Sequence, residues 1–221
     1  MGKFQSVFDI IGPIMVGPSS SHTAGAVKIG RAARYLFAAE IHYVKCHLYG
    51  SFAKTYKGHG TDVALIAGIL GYNTDDKRII DALSHAHNQG IHIDFIEDDS
   101  AVSHPNTVRI EVMNATDHLE LVGQSIGGGK VEIVELNGFN LNLSGNHPAI
   151  LVMHNDRFGA IASVTEILAR YEINIGRMEV NRKDVGKEAL MTIELDQNIE
   201  PEVEIALREA KHILRLAKVV D

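Results

Sequence analysis

The chain has 221 residues, 45% of them hydrophobic and 22% charged, a globular balance whose length suits one or two domains. Lysine and arginine number 21 against 28 aspartates and glutamates, a formal charge of −7, which excludes a general nucleic-acid binder because that class neutralises phosphates. The single cysteine, Cys46, excludes an internal disulfide and a thiolate-held cluster of the chain's own, and no apolar run approaches the ~20 residues of a membrane span.

Phe4, Val7, Phe8 and Ile11 repeat at helical spacing before Gly12-Pro13, which predicts a helix over 4–11, amphipathic and without a signal-peptide apolar region. A cytoplasmic chain with no membrane partner is therefore expected. The hydroxyl-rich loop from Ile14 to Thr23 feeds a predicted helix over 24–39, and a strand is expected over 42–49. Gly58-His59-Gly60 reads as a turn before an Ala/Ile/Leu helix over 61–70. A helix over 77–88, a strand over 91–96 and a hairpin of 107–114 with 118–126 follow. After Gly127-Gly128-Gly129 the sheet pattern resumes over 131–136 and 139–143.

Ser144-Gly145-Asn146-His147-Pro148 is rich in breakers and predicts a boundary between a mixed α/β domain over 1–145 and a second domain over 148–221. The second reads as strand 149–154, helix 159–171, strands 173–181 and 188–195, helix 200–212 and strand 214–219. That β-α-β-β-α-β order is ferredoxin-like, so the fold class is α+β. Asp184 to Lys187 supplies the hairpin, and Pro201 suits a helix's first turn.

Ser19-Ser20-Ser21-His22-Thr23 opens a helix, where unpaired N–H groups suit a carboxylate or phosphate and hydroxyls can complete its hydrogen bonds. Simple N-capping by Ser21 or Thr23 is the plainer reading. In Gly58-His59-Gly60-Thr61-Asp62 two glycines free the backbone to bring an imidazole to a site edge, which makes His59 a candidate general base, with Thr61 or Asp62 to cap the next helix or orient the ring. A solvent-facing turn histidine competes with it. Asn106 and Thr107 can hold the turn after His104-Pro105, and Arg109 can meet a carboxylate. Ser125-Ile126-Gly127-Gly128-Gly129-Lys130 offers an anion nest or a bulged sheet crossing, and lacks the ending of a nucleotide-binding P-loop. In the second domain, Asn155-Asp156-Arg157-Phe158-Gly159 presents another helix N-terminus with Asp156 as a cap, and Asn174 to Arg177 flank the second strand. Together they could hold a small amino acid, or the module could pair by an edge strand. The twelve histidines suggest a metal, but there is neither Cys-x-x-Cys nor His-Glu-x-x-His, and a mononuclear site from His22, His59 and His104 has no supporting spacing, so no metal ligands are assigned.

Met15 to Thr23, Gly58 to Asp62, His104 to Thr107 and Ser125 to Gly129, in this order, resemble the β subunits of bacterial iron–sulfur-dependent L-serine dehydratases, and the C-terminal part resembles an ACT domain. The resemblance implies that L-serine loses water to give aminoacrylate and then pyruvate and ammonia. It also implies a 4Fe–4S cluster ligated by a separate α subunit and acting as Lewis acid on the serine hydroxyl, in keeping with a single cysteine. His59 would then be the catalytic base. Ser19, Ser20, Ser21, His22, Thr23, Gly60, Thr61 and Asn106 would bind substrate or hold the base, and Asn155, Asp156, Gly159 and Asn174 would form an ACT ligand site. The expected partners are L-serine, the α subunit and a second copy of the chain, with no activity for the chain alone. The first ~145 residues should resemble the allosteric substrate-binding fold of some phosphoglycerate dehydrogenases, which leaves open a non-catalytic, amino-acid-binding regulatory module controlling a partner enzyme. The ACT segment carries Asp156-Arg157-Phe158-Gly159 in place of the frequent Asp-x-Pro-Gly turn, and without proline that turn is less rigid.

Overall fold

The computed structural model describes residues 14–144 and 147–219; the predicted helix over 4–11 and the pair Gly145-Asn146 lie outside them. The chain divides between Asn137 and Gly138 into two compact units, whereas the boundary read from the sequence follows the breaker residues at 144–148. Among the described residues no helix is long and apolar enough to cross a membrane.

The first unit begins with a wide π turn, Ser20–Ala24, running into helix α1, Gly25–Phe37. Strand β1 is Tyr43–Tyr49, followed by helices α2, Gly50–His59, and α3, Thr61–Ile69. A 3-10 turn, Lys77–Asp81, leads into α4, Ala82–Asn88, where one continuous helix was expected. Strands β2, His92–Asp98, β3, Thr107–Met113, β4, His118–Gly127, and β5, Lys130–Leu136, complete the unit. Their order is β2-β1-β3-β4-β5, with β1 and β2 parallel and the other pairs antiparallel.

Strand alternation places Val44, Cys46 and Leu48, Val108, Ile110 and Val112, and Leu119 and Leu121 on one buried face. Each such side chain contributes roughly 1.5–3 kcal/mol of hydrophobic stabilisation. Helix α1 packs along β4 by small-to-large matching. A Cβ on Gly123 would lie 2.5 Å from Ile29 Cγ2, and one on Gly25 would lie 2.1 Å from Ser125 Oγ. Gly25 and Ile29 are one helical turn apart, about 6 Å of rise, and Ser125 and Gly123 are two strand residues apart, about the same length. The α1–α3 crossing is closer still. A Cβ on Gly30 would come 2.2 Å from Leu65 O, and one on Gly68 would come 2.1 Å from Val27 O, so the two backbones touch.

Helix α2 is a correction to the sequence reading, which left residues 50–57 unassigned and put a turn at 58–60. It carries little apolar signal, since Phe52 and Ala53 alone are buried. Tertiary contact sustains it: the N–H groups of Ser51 and Phe52 donate to Pro105 O at 2.7 and 3.4 Å, satisfying donors that a helix start leaves open. Left-handed Gly50, φ 53°, begins it and left-handed Gly60, φ 64°, ends it. Gly58 sits inside the helix without a positive φ, so only Gly60 has the freedom expected of both glycines.

The second unit contains β6, Phe139–Leu143, β7, Ala149–Asn155, α5, Ala160–Arg170, β8, Ile175–Arg182, β9, Glu188–Leu195, α6, Pro201–Glu209, and β10, Ile213–Val219. Its four-stranded antiparallel sheet has the order β10-β7-β9-β8, the ferredoxin-like arrangement expected from the sequence. Val164, Leu168, Val203 and Leu207 from the two helices bury against Ile150, Val152, Met191 and Ile193 of the sheet. Gly186, φ 77°, closes the β8–β9 hairpin and Pro201 stands in the first turn of α6.

Candidate active site

The Ser-Ser-Ser-His-Thr segment is the π turn itself. Thr23 N and Ala24 N both donate to Ser19 O, at 2.8 and 3.4 Å, and Gly25 N donates to Ser20 O. This wider winding is uncommon and concentrates at functional positions. Ser19, in extended conformation, is the N-cap, its Oγ accepting from His22 N at 3.1 Å; the cap expected at Ser21 or Thr23 is therefore corrected to Ser19. Ser21 is free to use its hydroxyl elsewhere, and Oγ lies 3.0 Å from His22 Nδ1 and 3.3 Å from Ser19 Oγ. Thr23 Oγ1 donates to His59 O at 3.2 Å, tying the π turn to the last carbonyl of α2.

Two imidazoles meet there. The rings of His22 and His59 have centroids 4.9 Å apart at a 39° tilt, and Phe52 packs edge-on against His22 at 5.2 Å. On its other nitrogen His22 reaches Ser51 Oγ, 3.0 Å from Nε2. Desolvation, followed by repulsion from His59, holds His22 below the ordinary imidazole value. His59 is half-buried, and its Nδ1, like Thr61 Oγ1 and Ser125 Oγ, is buried without a hydrogen-bond partner. Buried polar groups left open in this way are rare and mark out this cluster within the first unit. A cleft of about 440 Å³ runs along α2, lined by Tyr56, Lys57, Gly58, His59 and Glu97 among others.

The turn at His104–Thr107 joins the same place, since Pro105 O accepts from Ser51 N. Ser125 N donates to Asn106 O at 2.9 Å and Asn106 Nδ2 donates to Ser125 O at 3.3 Å. Thr107 Oγ1 donates to His104 O at 2.6 Å, holding the turn that presents Pro105 O to α2. Gly127, Gly128 and Gly129 all have positive φ and close a bulged β4–β5 hairpin, the left-handed pair Gly128-Gly129 suiting a two-residue turn. Arg109 donates to Glu120 and Glu135 at 2.5 and 3.2 Å, so its guanidinium is committed within the sheet. Neither Thr61 nor Asp62 caps α3. Gly60 is its N-cap, and Asp62 Oδ1 accepts from Val63 N at 2.9 Å.

Beside this geometry stand the comparisons. The family described as serine dehydratase beta chain matches residues 6–135, and the ACT domain matches residues 149–212. The chain belongs to the serine dehydratase beta-chain family. It is 57% identical over 219 residues to a probable L-serine dehydratase beta chain of Bacillus subtilis (strain 168), covering 99% of this chain and 100% of that one. It is 37% identical over 204 residues to the L-serine dehydratase beta chain of Peptoniphilus asaccharolyticus, covering 91% and 92% of the two chains. A D-3-phosphoglycerate dehydrogenase of Bacillus subtilis (strain 168) is 27% identical over 197 residues, which are 89% of this chain and 37% of that enzyme.

In the second unit, the ACT residues singled out in the sequence are not all brought together. Asn155 is the last residue of β7, where it pairs with Glu188, and Asp156 and Gly159 follow it. Asn174 precedes Ile175, which pairs with Leu195, near the opposite end of β7 and roughly 20 Å away at strand rise. Asn174 Nδ2 donates to Asp196 Oδ2 at 2.6 Å. Asp156 does not cap α5. Its carboxylate accepts from Gly186 N at 2.8 Å and Arg182 at 3.1 Å, which lower its pKa, and left-handed Gly159 is the N-cap.

Ser51 and Phe52, which touch His22, are residues that reading the motifs missed. A serine directly after Tyr49-Gly50 at a strand end is the one available signal for Ser51.

Two predictions follow from these contacts. Gly25→Ala should lower stability by about 1–3 kcal/mol through overpacking on Ser125, and Ser125→Gly in the same chain should recover much of that loss. Thermal melts of the two single variants and the double variant measure the coupling, and strictly additive effects would show that the two residues do not meet. His22 gives a pH dependence. Its folded pKa lies below the ordinary 6.5, so the unfolded chain binds more protons just below that pH. Its contribution to stability is present above about 6.5 and is lost as pH falls toward the lower folded value. His22→Asn should therefore show a shallower fall of Tm between pH 7 and 5 than the wild type, whatever its Tm at pH 7.

Proposed function

We propose that this chain is the β subunit of an L-serine dehydratase that converts L-serine to pyruvate and ammonia with a separate α subunit, and that it is inactive alone. The observation that carries the reading is the pair His22–His59, ringed by serine and threonine hydroxyls, with His59 Nδ1 and Thr61 Oγ1 buried and unpartnered. A proton acceptor in a hydroxyl-rich setting suits abstraction of the α-proton of a small hydroxylated amino acid. The beta-chain names of the relatives matched over nearly their full length support an α partner.

This chain's donors do not fit a 4Fe–4S cluster. Cys46 is fully buried in β1 and burial pushes its thiol strongly up, away from the thiolate that ligates iron. Among the described residues no group of three or more His, Cys, Asp or Glu could hold a metal ion. In this reading the cluster belongs to the α subunit, where it would supply Lewis-acid activation of the substrate hydroxyl. The steps assigned to this chain are its own. His59 takes the α-proton at an imidazole nitrogen. Ser19, Ser20 and Ser21 line the carboxylate, Thr23 holds the base through its bond to His59 O, and Gly60, Thr61 and Asn106 shape the pocket. Loss of water leaves aminoacrylate, whose imine tautomer takes up water to give pyruvate and ammonia. The first module, 1–145, would carry this site and the ACT module, 148–221, would be regulatory, with Asn155, Asp156 and Gly159 as its ligand loop.

The match to 37% of a dehydrogenase favours a second reading, a non-catalytic amino-acid-binding module that controls a partner enzyme. Anaerobic affinity purification of the tagged chain from its native cells separates the two. Copurification of a cysteine-bearing partner with iron and serine-dependent pyruvate formation is the expected result. A partner of unrelated activity, or serine-dependent turnover by the isolated, iron-free chain, would sink the proposal.

A further inference from the structure

We propose that Ser51 is a positioning residue for His22, fixing that ring between two hydroxyls so that it stands in one orientation against His59; the inference rests on the serine dehydratase reading above. His22 has Ser21 Oγ 3.0 Å from Nδ1 and Ser51 Oγ 3.0 Å from Nε2. A neutral imidazole has one N–H and one acceptor nitrogen, and a hydroxyl can serve either, so both ring nitrogens are satisfied in either tautomer. Turning the ring over would exchange nitrogens for carbons and break both bonds. Phe52, edge-on at 5.2 Å, closes a further side.

Ser51 is itself held rigidly. Its N–H donates to Pro105 O at 2.7 Å, and left-handed Gly50 before it could not bear a Cβ, which would lie 2.7 Å from the same oxygen. Ser51 and His59 are eight residues apart on α2 and so share a face about two turns apart. The helix that ends in the proposed base thus begins with the hydroxyl that orients the neighbouring imidazole. Desolvation and His59 both favour the uncharged His22 ring, and a neutral ring leaves His59 free to take a proton without a second positive charge beside it.

The test uses Ser51→Ala and Ser51→Thr in the assembled enzyme, together with the ring 15N signals of His22 in the full chain. Thr55 Oγ1 donates to Ser51 O at 2.8 Å, and this bond and the Pro105 anchor are independent of the Ser51 side chain, so the helix start should survive the alanine change. We expect Ser51→Ala to lower kcat on the order of tenfold, a part of the ~10²–10⁴ that positioned proton transfer contributes, with KM little changed, and to move the His22 ring signals. Ser51→Thr, which keeps the hydroxyl, should restore most of both. Wild-type turnover in Ser51→Ala, with or without moved ring signals, overturns the positioning role. Should Ser51→Ala fail to fold, by circular dichroism, Ser51→Thr carries the test: wild-type His22 signals with near-wild-type kcat are expected, and a kcat as low as that of an inactive enzyme refutes it. If the wild-type complex does not turn over serine, the dehydratase reading fails, while the ring signals still report whether Ser51 binds His22.

Discussion

Replacing His59 with glutamine in the assembled complex is expected to lower kcat for L-serine by about 10²–10⁴-fold, the range contributed by a positioned general base. Glutamine preserves length and hydrogen bonding but cannot take a proton near neutral pH. The fold should survive, because the bond from Thr23 Oγ1 goes to the His59 carbonyl and not to its ring, and Gly60 remains to end α2. Size-exclusion chromatography and circular dichroism establish assembly, and pyruvate formation measures turnover. Turnover within a few-fold of wild type would remove His59 from proton transfer. If that retained turnover came with an altered response to an amino-acid effector, the regulatory-module reading would gain what the lyase reading lost.

The second large effect is structural. Gly68→Leu should destabilise the chain by about 3 kcal/mol or more, beyond ordinary overpacking. Even the first added carbon would lie 2.1 Å from Val27 O, 2.8 Å from Arg31 N and 2.9 Å from Gly30 Cα. All three are backbone atoms, which cannot turn aside as a side chain can. Helices α1 and α3 would have to part, and with them the π turn at the head of α1 and Thr61 at the head of α3. A fall in Tm of roughly 6–12 °C or more is expected for a chain of this size. Gly58→Ala is the contrast. A Cβ there meets nothing within 4 Å and φ is not positive, so stability should hold or rise by roughly 0.5–1 kcal/mol. Equal melting temperatures for the two variants would refute the close crossing.

The second unit was legible nearly throughout because each of its elements carries an apolar period and a clear stop, such as Gly186 for the hairpin and Pro201 for α6. The alternation in β3 and β4 was equally plain. Helix α2 was not, since Lys54, Lys57 and two glycines give it no apolar stripe and its start depends on Pro105, 54 residues after Ser51 in the chain. Missing α2 hid Ser51, and it turned His59 from a helix end into a turn residue. At the site, the motifs that lie far apart in sequence were readable as chemistry, but what joins them was not. Gly25 against Ser125 and Gly30 against Gly68 are matches of absent side chains, and a single glycine in a helix reads only as a weak position. The capping role of Ser19 was obscured because Ser21 and Thr23, nearer the α-helical part, are equally good capping residue types, and the π winding moves the helix start back to Ser19.

Helix α2 also sets a phase. Ser51 and His59 both address His22 from one short rod, bracketed by two left-handed glycines, and each residue of an α-helix turns the next by about 100°. A one-residue insertion or deletion within 52–58 would therefore swing one of the two groups away from His22, however conservative the residue added or lost. Length changes in the exposed turn between β3 and β4, by contrast, would alter only the reach of a loop. The ten residues of α2 form the part of this chain where reading frame within the helix, more than amino-acid identity, should limit what variation can survive.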